Sequence, residues 1–343
     1  MKKLNILLIL SIFALAFIAC EKDQDMYKVL PAEEVTPPVL ASHGAIVIDA
    51  DNLSSTTIFR WLPADFGTPA AVEYSLYVKV DNGEPQLVSS AYGDSIEVKL
   101  EDINKTMLLA GAGQGVTVDA AFTLKAVIST AYADVTSEPV FVSVTTVAPL
   151  YPDKLYMIGQ DFGGWDWNNP AVVEMVPVHS HPGQFWCVRY FTTNGFKWNT
   201  VKDWGGDFFS LGTDAGFTTH DNNAFVASEG FYSVLVDYLA STITVEPARV
   251  YGMGDCFGGW NTGTYPFTHN NAAKTMRITA AASGEVRMYA ASSATNADWW
   301  QMEFVVINGD IVYRGTGDDQ QRVTVAAGKT VTLDFNSGTG TVQ

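Results

Sequence analysis

The chain has 343 residues, 37 acidic against 20 basic side chains and a net charge of -17, with 47% hydrophobic and 17% charged residues. That apolar content excludes a disordered or collagen-like chain, and the acidic balance repels phosphate and excludes a nucleic-acid binder. The length calls for two or three domains, and three cysteines are too few for a disulfide framework.

In chain order, Lys2 and Lys3 precede an apolar run from Leu4 to Ile18. Its length suits an export signal and is too short to span a bilayer. Ala19 before Cys20 fits lipoprotein processing, with a signal peptide at 1–19 and an acylated Cys20; Phe17 stands where Leu is usual. Residues 20–38 read as the lipidated cysteine and a linker, opening with acidic Glu21, Asp23 and Asp25 and carrying Pro31, Pro37 and Pro38. No later apolar run reaches spanning length, so lipid is the expected anchor.

Residues 39–148 hold short alternating segments, such as Tyr74-Ser75-Leu76-Tyr77-Val78 and Phe122-Thr123-Leu124-Lys125-Ala126-Val127. The turn signal Asp81-Asn82-Gly83 predicts a hairpin, and acidic Glu101 and Asp102 open a helix near Leu100 to Leu109. The spacing predicts an immunoglobulin-like or fibronectin-III-like sandwich with Trp61 as its core plug.

After Pro149 to Pro152 the sequence repeats itself. Residues 154–165 (KLYMIGQDFGGW) match residues 249–260 (RVYGMGDCFGGW) at an offset of 95, and a second Trp follows 39 residues after the first in each copy: Trp204 after Trp165, Trp299 after Trp260. Between them a basic residue lies on an alternating strand, Lys197 in the first copy and Arg287 in the second. A repeat of this length is a tandem domain rather than a solenoid unit, which places one small β module at 151–247 and another at 248–343. The stretch Glu246-Pro247-Ala248 reads as a short linker between them.

Eight of the nine Trp lie after residue 150. Trp186, in the run Phe185-Trp186-Cys187-Val188, reads as core. Trp165 and Trp204 stand instead in Gly/Asp/Asn-rich segments, which are loops by composition. A rigid indole on a loop offers a flat apolar face to a pyranose ring at little rotamer cost, while adjacent Asp, Asn and Lys reach the ring hydroxyls. The fold class is therefore all-β, a sandwich followed by two tandem carbohydrate-binding-module-like sandwiches.

The layout of lipobox, immunoglobulin-like domain and two Trp–basic–Trp modules resembles the SusE/SusF-type outer-membrane starch-binding lipoproteins. The resemblance implies a surface-exposed, lipid-anchored protein of the outer membrane that holds starch or a related polysaccharide, accompanied by a porin-type glycan importer. The residues themselves lead to no expected cofactor, metal or catalytic residue. Carried over by motif, the glycan-binding residues are Trp165, Lys197 and Trp204 in the first module and Trp260, Arg287 and Trp299 in the second. The second copy departs from the first in Arg287 for Lys and in Cys256 where the first has Asp161.

Two other classes compete. A glycosidase needs two carboxylates facing across a bond, one with a raised pKa, and no such pair stands out in sequence. A structural adhesin or spacer would sequester its tryptophans in cores. His179-Ser180-His181 lacks a third ligand at metal spacing and reads as a loop, and Cys187 and Cys256 read as free thiols.

Overall fold

The computed structural model describes residues 28–149 and 151–343, in two compact units that part between Ala148 and Pro149. The export signal, Cys20 and the acidic tether lie outside the described residues. Among the described residues no helix is long and apolar enough to cross a membrane.

The first unit has two sheets. Strands Val39–Leu40, Thr56–Leu62 and Ser95–Lys99 form one, and six strands centred on Glu73–Lys79 and Thr117–Val127 form the other. Alternation places Tyr74, Leu76 and Val78 on the same core as Ala120, Phe122, Leu124 and Ala126. Trp61 is buried in that core and its Nε1 donates to the Gly93 carbonyl at 3.1 Å. The expected hairpin pairs Glu73–Lys79 with Gln86–Tyr92, and the helix spans Leu100–Leu109. Residues expected to be linker join the domain earlier than position 39. Leu30 N donates to the Phe66 carbonyl at 2.9 Å, and Val35 is buried in the core, so apolar burial extends the unit backwards.

In the second unit, the first module is a two-sheet sandwich. One sheet contains Val173–Glu174, Tyr156–Gly159, Phe196–Asn199, Asn223–Phe225 and Thr218–His220. The other contains Val176–Pro177, Gln184–Phe191, Gly230–Asp237, Thr242–Pro247 and Thr213–Ala215. Met157, Phe196 and Trp198 pack between them against Phe185, Cys187, Val234 and Val236.

The second sheet is buried on both faces. Trp186, Val188, Tyr190, Phe231 and Leu235 alternate away from the module's own core and enter a cluster with Val250, Met276, Met288, Phe304 and Leu333 of the second module. The near-continuous apolar run of Gln184–Phe191 has this cause, since each alternate side chain has its own core to fill. The second module is a ten-stranded sheet whose strands lie between Arg249–Met253 and Thr339–Val342 in the chain and supply the other side of that shared core.

The junction is not the expected linker. Glu246 and Pro247 end strand Thr242–Pro247, Arg249 opens the next strand, and only Ala248 stands between. Polar clamps fasten the same contact. Asn336 Oδ1 accepts from Tyr190 N at 2.8 Å, and its Nδ2 donates to the Tyr190 carbonyl at 3.0 Å. His179 and His181 belong to this junction: His179 Nδ1 lies 3.0 Å from the Gly315 carbonyl oxygen, and His181 Nε2 lies 3.3 Å from Gln301 Oε1. Cys187 and Cys256 are both free and buried, and burial pushes each thiol up to about 11.

Candidate glycan-binding surfaces

Strand Phe196–Asn199 sends Phe196 and Trp198 into the first module's core and leaves Lys197 and Asn199 on the opposite face. Its neighbour pairs Ile158 with Lys197 and Tyr156 with Asn199, so these four share that face. Over it lies a cluster of Tyr156, Ile158, Trp167 and Val172, with Trp165 half-buried against it. The turn that brings Trp165 there is tight: Gly163 and Gly164 have φ of 90° and 59°, and Trp165 itself has φ of 65°. A bulky residue in the left-handed region costs roughly 1–2 kcal/mol, and packing on the cluster offsets it. Gly163 is required as well as permitted, since a Cβ there would meet Val172 Cγ2 at 2.7 Å.

The next loop carries Trp204, which is 51% exposed and packs edge-on to Trp167 at 5.7 Å between ring centroids. The loop is held from below. Asn199 Nδ2 donates to the carbonyls of Asp203 at 2.7 Å and Gly205 at 3.3 Å. Lys197 Nζ donates to Asp207 Oδ2 at 2.5 Å, and Asp207 Oδ1 accepts from Gly205 N at 3.2 Å. The Lys197 hydrogen bond holds the Asp207 carboxyl below its usual range. Lys197 thus reaches the expected face but spends its main contact on positioning the Trp204 loop. Lys202 lies over the Tyr156 ring at 5.1 Å, a second cation on the same face.

The second module repeats the register. Met253 pairs with Arg287 as Ile158 pairs with Lys197, so the two basic residues occupy equivalent positions. Their surroundings differ. Arg287 is only 4% exposed and bonds Glu285 at 3.0 Å, Glu303 at 3.3 Å and Asp319 at 3.1 Å. Glu303 is fully buried and also takes Arg314 at 3.1 Å. Burial pushes the Glu303 carboxyl up, against the pull of the two guanidinium groups. Arg287 is therefore a correction: three carboxylates use its donors, and it lies beneath the surface instead of on it.

The second platform is built from other groups. Trp260 is 46% exposed, and its Nε1 donates to Asp255 Oδ1 at 3.2 Å. Trp299 opens a short 3-10 helix, Trp299–Met302, and its half-buried ring stands 6.3 Å from that of Trp260 and 6.1 Å from that of Tyr289. Tyr251 and Tyr289 stack at 5.5 Å beneath, and Tyr289 OH accepts from Gly263 N at 2.7 Å. The residues that sequence reasoning left out of the sites are Trp167, Tyr156 and Lys202 in the first module and Tyr251 in the second. A signal existed for the tyrosines: Tyr156 and Tyr251 are aligned by the repeat and share a strand face with the basic residue.

A family model described as SusF/SusE starch-specific CBMs (carbohydrate-binding modules) matches residues 154–246 and again 249–341, and one described as SusE outer membrane protein matches 24–125. The chain belongs to the SusE/SusF family of outer-membrane proteins. Outer membrane protein SusF of Bacteroides thetaiotaomicron is 32% identical over 214 residues, covering 56% of this chain and 44% of that protein, so the match spans under half of the curated relative's length. The crystal structure of SusF from the same organism aligns with a TM-score of 0.51 at 19% identity, covering 90% of this chain and all of that one, and shows the shared fold.

Proposed function

We propose that this chain is a surface lipoprotein, anchored through Cys20, that holds starch or a related α-glucan at the outer membrane for uptake by a porin-type importer. Binding is by aromatic stacking at two platforms. Trp204, beside Trp165 and Trp167, serves the first, with Lys197 fastening its loop. Trp260 and Trp299 serve the second. One observation carries the reading. Of nine tryptophans only Trp204 and Trp260 are exposed, one in each module, and each stands against a second tryptophan. A spacer protein has no use for a solvated indole backed by a second tryptophan in each of two modules, since exposed apolar surface of this kind marks binding sites.

Holding is favoured over cleaving because three carboxylates of the platform loops are occupied in building them. Asp203 accepts from Trp204 N, Asp207 from Lys197 and Asp255 from Trp260 Nε1. A shallow stacking surface with a few hydroxyl contacts supports a dissociation constant on the order of 0.1–1 mM per module.

Affinity electrophoresis of the full chain in gels containing amylopectin, with mannan as control, tests the proposal. Retardation by amylopectin that is lost in the Trp204→Ala/Trp260→Ala double variant supports it. Equal mobility of wild type and double variant in every glycan gel sinks it and leaves the spacer reading ahead.

A further inference from the structure

The second platform does not end at its tryptophans. Trp299 is also a wall of an open groove of about 380 Å³ that continues over the sheet, floored by Tyr251 and Tyr289 and edged by Gly263 and Asp298. The volume falls within the range of roughly 300–1,000 Å³ found for small-molecule sites. Beyond the tyrosines stands Arg249, which lines the same groove. It lies two residues before Tyr251 on the same strand face, a displacement of about 7 Å at the usual strand rise.

Arg249 is built into position. Its Nη2 is 3.4 Å from Glu246 Oε2, and Glu246 is itself held by Ser293, whose N donates at 2.8 Å and Oγ at 2.6 Å. The side chain remains 45% exposed. A guanidinium has five N–H donors, so a single carboxylate contact leaves most of them for hydroxyl groups in the groove.

In the first module the corresponding tyrosine is covered. Tyr156, the repeat counterpart of Tyr251, is buried beneath a cluster that includes Trp167 and Val172. Lys154, the counterpart of Arg249, is paired with Glu174 at 2.8 Å. What is a groove in one module is filled by an indole in the other.

We propose that the groove of the second module accepts further residues of the same glucan chain, with Arg249 donating hydrogen bonds to their hydroxyls, so that this module gains affinity with oligosaccharide length and the first module does not. The occupant is the continuing chain because Trp299 belongs to both platform and groove. The inference rests on the glycan-binding reading above.

The test uses the full mature chain carrying Trp204→Ala, so that the second module alone reports, and titrates it calorimetrically with maltotriose and maltohexaose. The hexaose binds more tightly, and adding Arg249→Ala lowers the hexaose-to-triose affinity ratio by about tenfold or more, the loss of one charge-assisted hydrogen bond; Arg249→Lys restores part of it. An unchanged ratio, or an equal loss for both sugars, overturns the groove while leaving the platform in place. Failure of the Trp204→Ala chain to bind either sugar overturns the groove and the starch reading of the second module together.

Discussion

The two modules start from one sequence template and reach different surfaces. Both place a tyrosine and a basic residue on the same face of paired strands, and both bring two tryptophans above it. In the first, Trp167 fills the space over Tyr156, Lys197 stays near the surface, and Trp204 is the exposed ring. In the second, the space is open, the basic residue sinks among carboxylates, and the exposed ring is the earlier one, Trp260. A repeat therefore conserves backbone register more strictly than side-chain role. Register is set by the ladder, while role depends on whatever neighbouring loops bring to the face.

The largest effect that sharpens this contrast is on stability. Arg287→Met leaves Glu303 buried with half its compensation gone, and the expected loss is about 3–5 kcal/mol, read by chemical unfolding. A variant of normal stability that no longer bound maltooligosaccharides at the second module would return Arg287 to the sugar. Trp186→Ala removes an indole from the core the modules share and costs about 3–5 kcal/mol. Because that core joins the modules, calorimetry of the variant should show both unfolding together at a lower temperature. Two separated transitions would mean that the modules are independent after all.

Effects on binding come next. Trp204→Ala should remove about 1–3 kcal/mol from the first module, and Trp260→Ala a similar amount from the second, by loss of ring burial and stacking. On polymer each single variant should weaken retention by a factor of about 10² or more, because a chain engaging both platforms loses its second, intramolecular contact. Loss of only half the binding sites at unchanged apparent affinity would break the picture of cooperating platforms.

The smallest effect is the pH dependence of the Lys197–Asp207 pair. Since Asp207 is held below its usual value of 3.8 by Lys197, the pair's stabilisation is fully present above that pH and is lost as pH falls through the depressed value. Lys197→Met should therefore weaken binding at the first module by about 1 kcal/mol at neutral pH, and the difference from wild type should vanish in strong acid. Titration with the Trp260→Ala chain isolates the first module for this measurement. A difference that persisted unchanged below the depressed value would mean that Lys197 acts on the sugar and not through Asp207.

Much of the architecture was legible in the chain. The 95-residue offset, the paired tryptophan spacing and the alternation around Lys197 and Arg287 placed those residues on equivalent strands, and Trp61 could be read as a plug from its strand alone. These signals are local or periodic, and periodicity is what hydrogen-bonded strands preserve. The sequence by itself thus determined the all-β fold, the tandem modules and which short segments carry the aromatic rings. Only the tertiary structure decided which ring meets solvent, that Lys197 fastens a loop, that Arg287 is enclosed by Glu303 and Asp319 from later in the chain, and that the modules share one core. Those outcomes turn on desolvation and long-range contact between groups far apart in sequence, and no local pattern encodes the burial that decides them.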